Sequence, residues 1–349
     1  MPPARAGTRA HTHRQLMPSL LHHNTFGIDA NCEEFAEYGS VEELRALLPR
    51  LAGKRWMHIG AGSNLLFAAD YPGTVLHSLI KGCGVTGTDG DSVLVTAGAG
   101  MVWDDFVARC VDEGWHGLEN LSHIPGEVGA SAVQNVGAYG VEAGQHIHSV
   151  SCVDAASGAE RVFTRAECGY AYRSSVFKHA LRGRYIVTSV TYRLSRVFSP
   201  DLSYGAIRRA MEERGVTAAD ITPAALRSLV TDIRRAKLPE PAETGSAGSF
   251  FVNPVVPEEK CAALLAEYPE MPHYIVEGGV KIPAGWMIEQ CGWKGRSLGA
   301  AGVYAKQALV LVNLGGATGA DIVRLSDAVR ADVLRKFGVE IHPEVNIIQ

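Results

Sequence analysis

The chain has 349 residues, enough for two to three domains that each bury a core of their own. With 46% apolar and 20% charged residues the composition is that of an ordinary globular protein, and no uncharged apolar run reaches the ~18 to 20 residues of a membrane span. A net charge of −4 argues against non-specific nucleic-acid binding, and seven scattered cysteines without a C-x-x-C pair read as reduced thiols of a cytosolic protein rather than disulfides or a zinc site.

Residues 1–20 are predicted to be a disordered tail. They carry Arg5, Arg9 and Arg14 without the apolar core of a signal peptide, and Met17 is a possible native start. His11, His13, His22 and His23 have no fixed geometry there with which to hold a metal. From Asn31 to Leu194 short β-rich runs alternate with glycine-rich turns. Strands are predicted at Trp56–Ile59, Thr74–Ile80, Val93–Val95 and Tyr185–Leu194, the last with Ile186, Thr188, Val190, Tyr192 and Leu194 on one face. Apolar stripes at helical spacing predict helices at Val41–Leu51 and Trp103–Val111. A further helix, Pro223–Lys237, has Thr222 as N-cap and proline in its first turn, and the Lys237-Leu-Pro-Glu-Pro segment that ends it reads as a domain boundary. Beyond it come helical patterns at Glu258–Tyr268, Ala284–Cys291 and Asp321–Phe337, a strand Ala308–Val312 and an extended end, Val339–Ile348, which together make a second α/β unit of domain size.

Two glycine-rich segments carry the first chemical signal. Gly117 to Gly140 holds five glycines, two carboxylates and no lysine or arginine, a composition suited to gripping a ligand through backbone amides. Gly60-Ala-Gly-Ser-Asn64 follows a predicted strand like half a dinucleotide fingerprint, but Leu65 stands where G-x-G-x-x-G needs its third glycine. A structural turn and a phosphate-binding turn are both open at this point.

The ordered set Asn24-Thr-Phe-Gly-Ile28, Gly60-Ala-Gly-Ser-Asn-Leu-Leu66, Gly117-Leu-Glu-Asn-Leu121, Ile124-Pro-Gly126, Val133-Gln-Asn-Val-Gly-Ala-Tyr-Gly140 and Tyr172-Arg173 resembles the UDP-N-acetylenolpyruvoylglucosamine reductase family. The resemblance continues through Lys237-Leu-Pro239, Ala247-Gly-Ser-Phe-Phe251, Asn253-Pro254, Ala284-Gly-Trp286, Gln307-Ala-Leu-Val310 and Pro343-Glu-Val345, covering about residues 21–349. It implies an α+β fold: an FAD-binding domain of the vanillyl-alcohol-oxidase/PCMH type, made of two α+β subdomains, plus a smaller α/β substrate-binding domain. The implied boundaries are 21–84 for the first subdomain, with 338–349 returning to it, 85–232 for the second, and 233–337 for the substrate-binding domain. The implied enzyme is a cytoplasmic monomer of peptidoglycan synthesis that binds no membrane or nucleic acid. In it NADPH reduces non-covalent FAD, flavin N5 passes hydride to C3 of the enolpyruvyl ether, and a proton reaches C2.

By the same resemblance Gly60, Ala61, Gly62, Ser63, Asn64 and Leu65, with Ser122, Pro125, Gly126, Gly129, Ala130, Asn135 and Gly137, hold the cofactor. Arg173 takes the substrate carboxylate, Ser249 donates the proton and Glu344 works beside the enolate. Tyr139, Tyr172, Tyr204, Lys237, Asn253, Tyr274 and Gln307 bind the rest of the UDP substrate, with Tyr204 on a mobile loop. Taken locally, Arg173 reads as a surface ion-pair residue, Ser249 as a turn capper and Glu344 as an exposed glutamate. The chain departs from the family's usual residues at Ala132, Ala171, Ser174, Ser246, Val252, His342 and Asn346. Two other readings stand beside this one: an FAD-dependent oxidase of the same fold, and a nucleotide-binding protein without turnover.

Overall fold

A computed structural model describes residues 17–349, so residues 1–16 of the expected tail, His11 and His13 among them, lie outside the described residues. The end of that tail is corrected. Ser19 forms a β-bridge with Asn31, and Leu20 is fully buried with its amide on the Ala30 carbonyl at 2.7 Å. An apolar side chain with a core to enter is reason enough for order at this point.

The described chain divides into two compact units. One comprises Glu34–Ala61 and Gly73–Ala236. Its large sheet runs antiparallel in the order Glu160–Thr164, Ile147–Asp154, Tyr185–Ser195, Ser92–Gly98, Cys83–Asp89. The central strand Tyr185–Ser195 does not keep a single face. A register shift between Val187 and Ser189 leaves Thr188 as an extra residue against Ile147–Asp154. Val187, Val190, Tyr192 and Leu194 therefore enter the main core, while Ile186 packs with Tyr38, Leu44, Leu48 and Leu76 in a second one. A one-residue bulge exchanges the faces of everything before it, which uniform alternation in the sequence conceals.

Helix Val41–Leu51 folds as expected, with the Ser40 hydroxyl accepting from the Glu43 amide at its start. Helix Trp103–Asp112 buries Trp103, Phe106, Val107 and Cys110, spaced to share one face. The Trp103 indole donates to the Leu121 carbonyl at 2.8 Å and so fixes the start of the glycine-rich run. That run is not all loop. Val128–Gln134 is a helix, seated by buried Val128 and Ala132 and by a Ser131–Tyr192 hydroxyl contact of 2.7 Å. Tertiary packing overrides the weak helix propensity of Val128-Gly-Ala-Ser here.

The other unit comprises the described residues up to Glu33, Gly62–Pro72 and Lys237–Gln349. Gly245–Ser249, Val310–Asn313, Ala301–Val303 and Ser297–Leu298 form a four-stranded sheet in that order. Val255–Val256, Gly279–Lys281 and Tyr274–Val276 form a three-stranded one. Near the C-terminus Asn346–Ile348 lies parallel to Leu65–Phe67, closing the unit across almost the whole sequence. Helix Gly319–Phe337 begins with a Thr318–Asp321 capping box and ends at Gly338 in the left-handed region. Among the described residues no helix is long and apolar enough to cross a membrane.

Candidate active site

In the first unit the two glycine-rich runs meet. A Cβ built on Gly60 would lie 3.6 Å from the Ala130 Cβ and 3.0 Å from the Glu127 carboxylate. Gly129 packs so closely on Ala99 that an added Cβ would stand 2.8 Å from the Ala99 Cβ, so this glycine is required by packing between protein segments. Gly62, in the other unit, is required in the same way, because a Cβ there would meet the His23 carbonyl at 2.1 Å. Ser122 is fully buried with its hydroxyl on the Glu119 carbonyl, and Asn135 is buried with its side chain committed to Glu142, Ala171 and Gly144. At these positions the side chains, or their absence, serve the protein's own packing, and the amides of Ser122, Gly129 and Asn135 are themselves taken up by the Glu119, Ala99 and Ser131 carbonyls.

Backbone is what the site has to offer. Among the described residues of this unit no hydrogen bond takes up the amides of Ala61, Gly126 or Ala130, whereas those of Val128 and Gly129 are occupied by the Met101 and Ala99 carbonyls. Neither 60–65 nor 122–137 contains a lysine or arginine. Unspent main-chain donors without a competing cation fit a diphosphate such as that of FAD. Ser63, Asn64, Leu65 and Pro125 belong to the same two runs, and Asn64 accepts at its carbonyl from the amide and side chain of Asn346.

Backbone strain marks the same region. Among the described residues the non-glycine positions with positive φ are His123, Asn135, Tyr139 and Arg173, at 57°, 48°, 50° and 54°. All four fall in or beside segments assigned to ligand binding on sequence grounds. Each costs about 1 kcal/mol and persists only where its surroundings hold it.

The holding groups can be named. The Asp104 carboxylate accepts from the His123 amide and takes a bidentate pair from Arg227 at 2.6 and 2.9 Å, while Arg234 Nε donates to the His123 carbonyl at 2.8 Å. Burial acts to raise the Asp104 pKa, but the bonds from Arg227 and the His123 amide outweigh it and hold the carboxyl below its usual range. Burial likewise pushes the Tyr139 phenol up, opposed by Arg234. Asp104, Arg227 and Arg234 were not singled out from sequence. The seven-residue spacing of the two arginines on helix Pro223–Lys237, which puts them on one face, is the signal that could have found them.

Arg173 occupies the third position of a tight turn, Ala171 to Ser174, closed by reciprocal bonds of 2.9 and 3.2 Å between the end residues. Its guanidinium donates to the Gly137 carbonyl at 2.7 Å and stands 5.3 Å from the centre of the half-exposed Tyr172 ring. Tyr139 and Tyr204 meet edge to face at 5.3 Å. Buried Asn120 fixes both of their segments, donating to the Tyr139 carbonyl at 2.9 Å and to the Asp201 carbonyl at 2.8 Å.

The second unit brings Ser249 and Glu344 together. Strand Gly245–Ser249 ends on the Ser249–Val310 pair, and the next carbonyl, that of Phe250, accepts the Glu344 amide at 2.8 Å. A Phe251–Pro343 bridge and a Val252–His342 bond continue the contact. Asn253 and Gln307 converge on the start of helix Ala284–Gln290. Asn253 Oδ1 accepts the Ala284 amide at 2.9 Å, and a Cβ on Gly285 would lie 3.2 Å from the Gln307 amide oxygen. Tyr274 is half exposed on its strand with Lys281 Nζ 5.9 Å from the ring centre, and Lys237, the first residue of this unit's last segment, is exposed.

Of the departures, Ala132 is buried inside helix Val128–Gln134, Ala171 gives its carbonyl to Asn135, and Ser174 bonds His179. Ser246 is buried against Thr25, whose hydroxyl donates to its carbonyl at 2.6 Å.

Comparison with known proteins identifies what has these two units. Residues 34–163 match the family described as FAD binding domain, and residues 240–348 match that described as UDP-N-acetylenolpyruvoylglucosamine reductase, C-terminal domain. The UDP-N-acetylenolpyruvoylglucosamine reductase of Bacteroides fragilis is 54% identical over 332 residues, 95% of this chain and 98% of that protein. The chain belongs to the UDP-N-acetylenolpyruvoylglucosamine reductase family. The reductase of Porphyromonas gingivalis is 48% identical over 94% of this chain and 97% of its own length. A crystal structure of the reductase from Thermus caldophilus, 22% identical, has the same fold, with a TM-score of 0.64 over 95% of this chain and 97% of that one. The α+β class and the FAD-binding domain expected from the sequence are thereby borne out.

Proposed function

We propose that this reductase converts the enolpyruvyl ether of UDP-N-acetylglucosamine to UDP-N-acetylmuramate in peptidoglycan synthesis, using FAD with NADPH as reductant. The observation that carries the reading is 54% identity to the Bacteroides fragilis reductase along 95% of the chain. An oxidase of related fold would leave the C-terminal family segment, 240–348, without a purpose. When bound, reduced FAD supplies the hydride. The amides around 60–65 and 122–137 hold its diphosphate.

The remaining chemistry belongs to side chains. Arg173 grips the substrate carboxylate through its planar fork, and with Glu344 it steadies the charge that develops there as C3 accepts hydride. Ser249 delivers the proton to C2. Lys237 and Tyr204 meet the diphosphate of the substrate, while Asn253, Gln307, Tyr274, Tyr139 and Tyr172 complete its pocket. We assign 21–84 with 338–349, and 85–232, to the two FAD-binding subdomains, and 233–337 to substrate binding; the pairing of Asn346–Ile348 with Leu65–Phe67 supports the return of the C-terminus to the first of these. The enzyme works in the cytoplasm as a monomer.

The decisive experiment is a pair of anaerobic half-reactions. NADPH should bleach the yellow protein, and UDP-N-acetylglucosamine enolpyruvate should then restore the colour. An oxidase would resist bleaching by NADPH, and a colourless protein that takes up no FAD would remove the reading altogether.

Asn120 gives a second test. Asn120→Ala strips a donor from two carbonyls, at a cost of about 1–3 kcal/mol each. It also frees the Tyr139 turn from the base of the Tyr204 loop. KM for the UDP substrate is expected to rise about tenfold with the rate of flavin reduction by NADPH unchanged. An unchanged KM would separate Asn120 from substrate binding.

A further inference from the structure

A histidine outside the assigned site sits against the meeting point of the two glycine-rich runs. His77, on strand Tyr71–Ser78, places Nε2 2.8 Å from Glu127 Oε1 and Nδ1 2.9 Å from Glu37 Oε1. Glu127 is the N-cap residue of helix Val128–Gln134, and its other carboxylate oxygen lies on Gly60, where a Cβ would stand only 3.0 Å away. The side chains of His77 and Glu127 are 14% and 9% exposed, so water screens this pair poorly. A carboxylate held at the edge of a cradle for a diphosphate opposes the ligand unless something cancels it.

We propose that His77 is a positioning residue for the flavin cofactor, an imidazolium that bridges Glu37 and Glu127, fixes Glu127 beside the Gly60 turn and neutralises it there. The inference rests on the FAD reading above. Its geometric basis is donor counting. A neutral imidazole has one N–H, yet both ring nitrogens of His77 face carboxylate oxygens, which only accept. Only the protonated ring satisfies both.

The other groups around it agree. His58, paired with the Tyr38 hydroxyl at 2.8 Å on the neighbouring strand, is pushed by burial down to about 4 and stays neutral through the working range. Tyr38 is pushed up by burial and stays a phenol. Phe35 brings a ring to 6.4 Å and no charge. The Glu127 bond, against the opposing effect of burial and with help from Glu37, raises His77 above its usual pKa. The sign follows: the bridge is complete below the unfolded histidine value and is lost as pH rises through the raised one, when the cluster gains a negative charge and one bond must open.

The test is FAD binding to the flavin-stripped full-length protein, read by fluorescence between pH ~6 and ~9. Wild type is expected to bind about tenfold more weakly at the alkaline end, the His77→Gln variant to show the weak affinity at every pH, and Glu37→Gln to lower the midpoint of the change. Glu37 is surface-accessible, so its variant keeps the test open should His77→Gln fold poorly. A pH-independent wild-type affinity, a His77→Gln protein that binds like wild type, or an unmoved midpoint in Glu37→Gln overturns the proposal. In each of these cases FAD still binds and the cofactor reading survives; a protein that takes no FAD at any pH defeats both.

Discussion

Ser249→Ala is expected to leave reduction of the flavin by NADPH near the wild-type rate and to slow reoxidation by the enolpyruvyl substrate about 10²- to 10⁴-fold, the usual worth of a positioned proton donor. The separation follows from the step proposed for Ser249. Hydride transfer from NADPH needs no proton on carbon, whereas the second half-reaction ends only when C2 is protonated. A serine hydroxyl is a weak acid, but an enolate carbon is basic enough to take its proton if the alkoxide left behind is stabilised. Position is what the fold supplies. Ser249 is the last residue of strand Gly245–Ser249, paired to Val310, and the following Phe250 is pinned by its amide to the Leu309 carbonyl at 2.7 Å and by its carbonyl to the Glu344 amide at 2.8 Å. A side chain anchored this way loses little entropy on reaching its target. Stopped-flow absorbance of the two half-reactions makes the measurement. Equal losses in both would show that the substitution disturbs the flavin site and would remove the donor role.

What the sequence could disclose follows the range of the interactions involved. Helices Val41–Leu51 and Pro223–Lys237 were legible to the residue, because caps and apolar spacing act over a few positions. Helix Val128–Gln134 was not, since its stability comes from Tyr192 and Ala99, far away in the chain. The faces of Tyr185–Ser195 were misread for the same reason: the bulge at Thr188 is set by the partner strand. At the candidate site the resemblance pointed to Gly62 and Gly129 as cofactor residues, yet only the structure shows that close backbone or side-chain approach demands those glycines. His77, Glu127, Asp104 and Arg234 lie outside every family word quoted, and what gives them interest is contact across tens of residues.

Arg173 allows function and stability to be pulled apart, and the Arg173→Gly variant should do so. At φ 54° the arginine pays for a left-handed backbone that glycine adopts without strain, a relief of about 1–2 kcal/mol. Against it stands the bond to the Gly137 carbonyl, worth about 1 kcal/mol, and the contact with the Tyr172 ring, worth about 0.5–1 kcal/mol at an exposed site. These nearly cancel, so Tm should move by no more than a few degrees. Turnover should not be spared. Losing the group proposed to hold the substrate carboxylate as charge develops on it is expected to cost about 10²–10³-fold in kcat, the scale seen for a preorganised donor to a developing anion. Arg173→Lys should recover little of this, because a single ammonium cannot reproduce two parallel bonds and keeps the backbone strain. A lysine variant with wild-type turnover would mean that charge alone is required. A glycine variant that unfolds many degrees early would mean that the turn is held by the side chain, and its lost activity would then carry no information about the carboxylate.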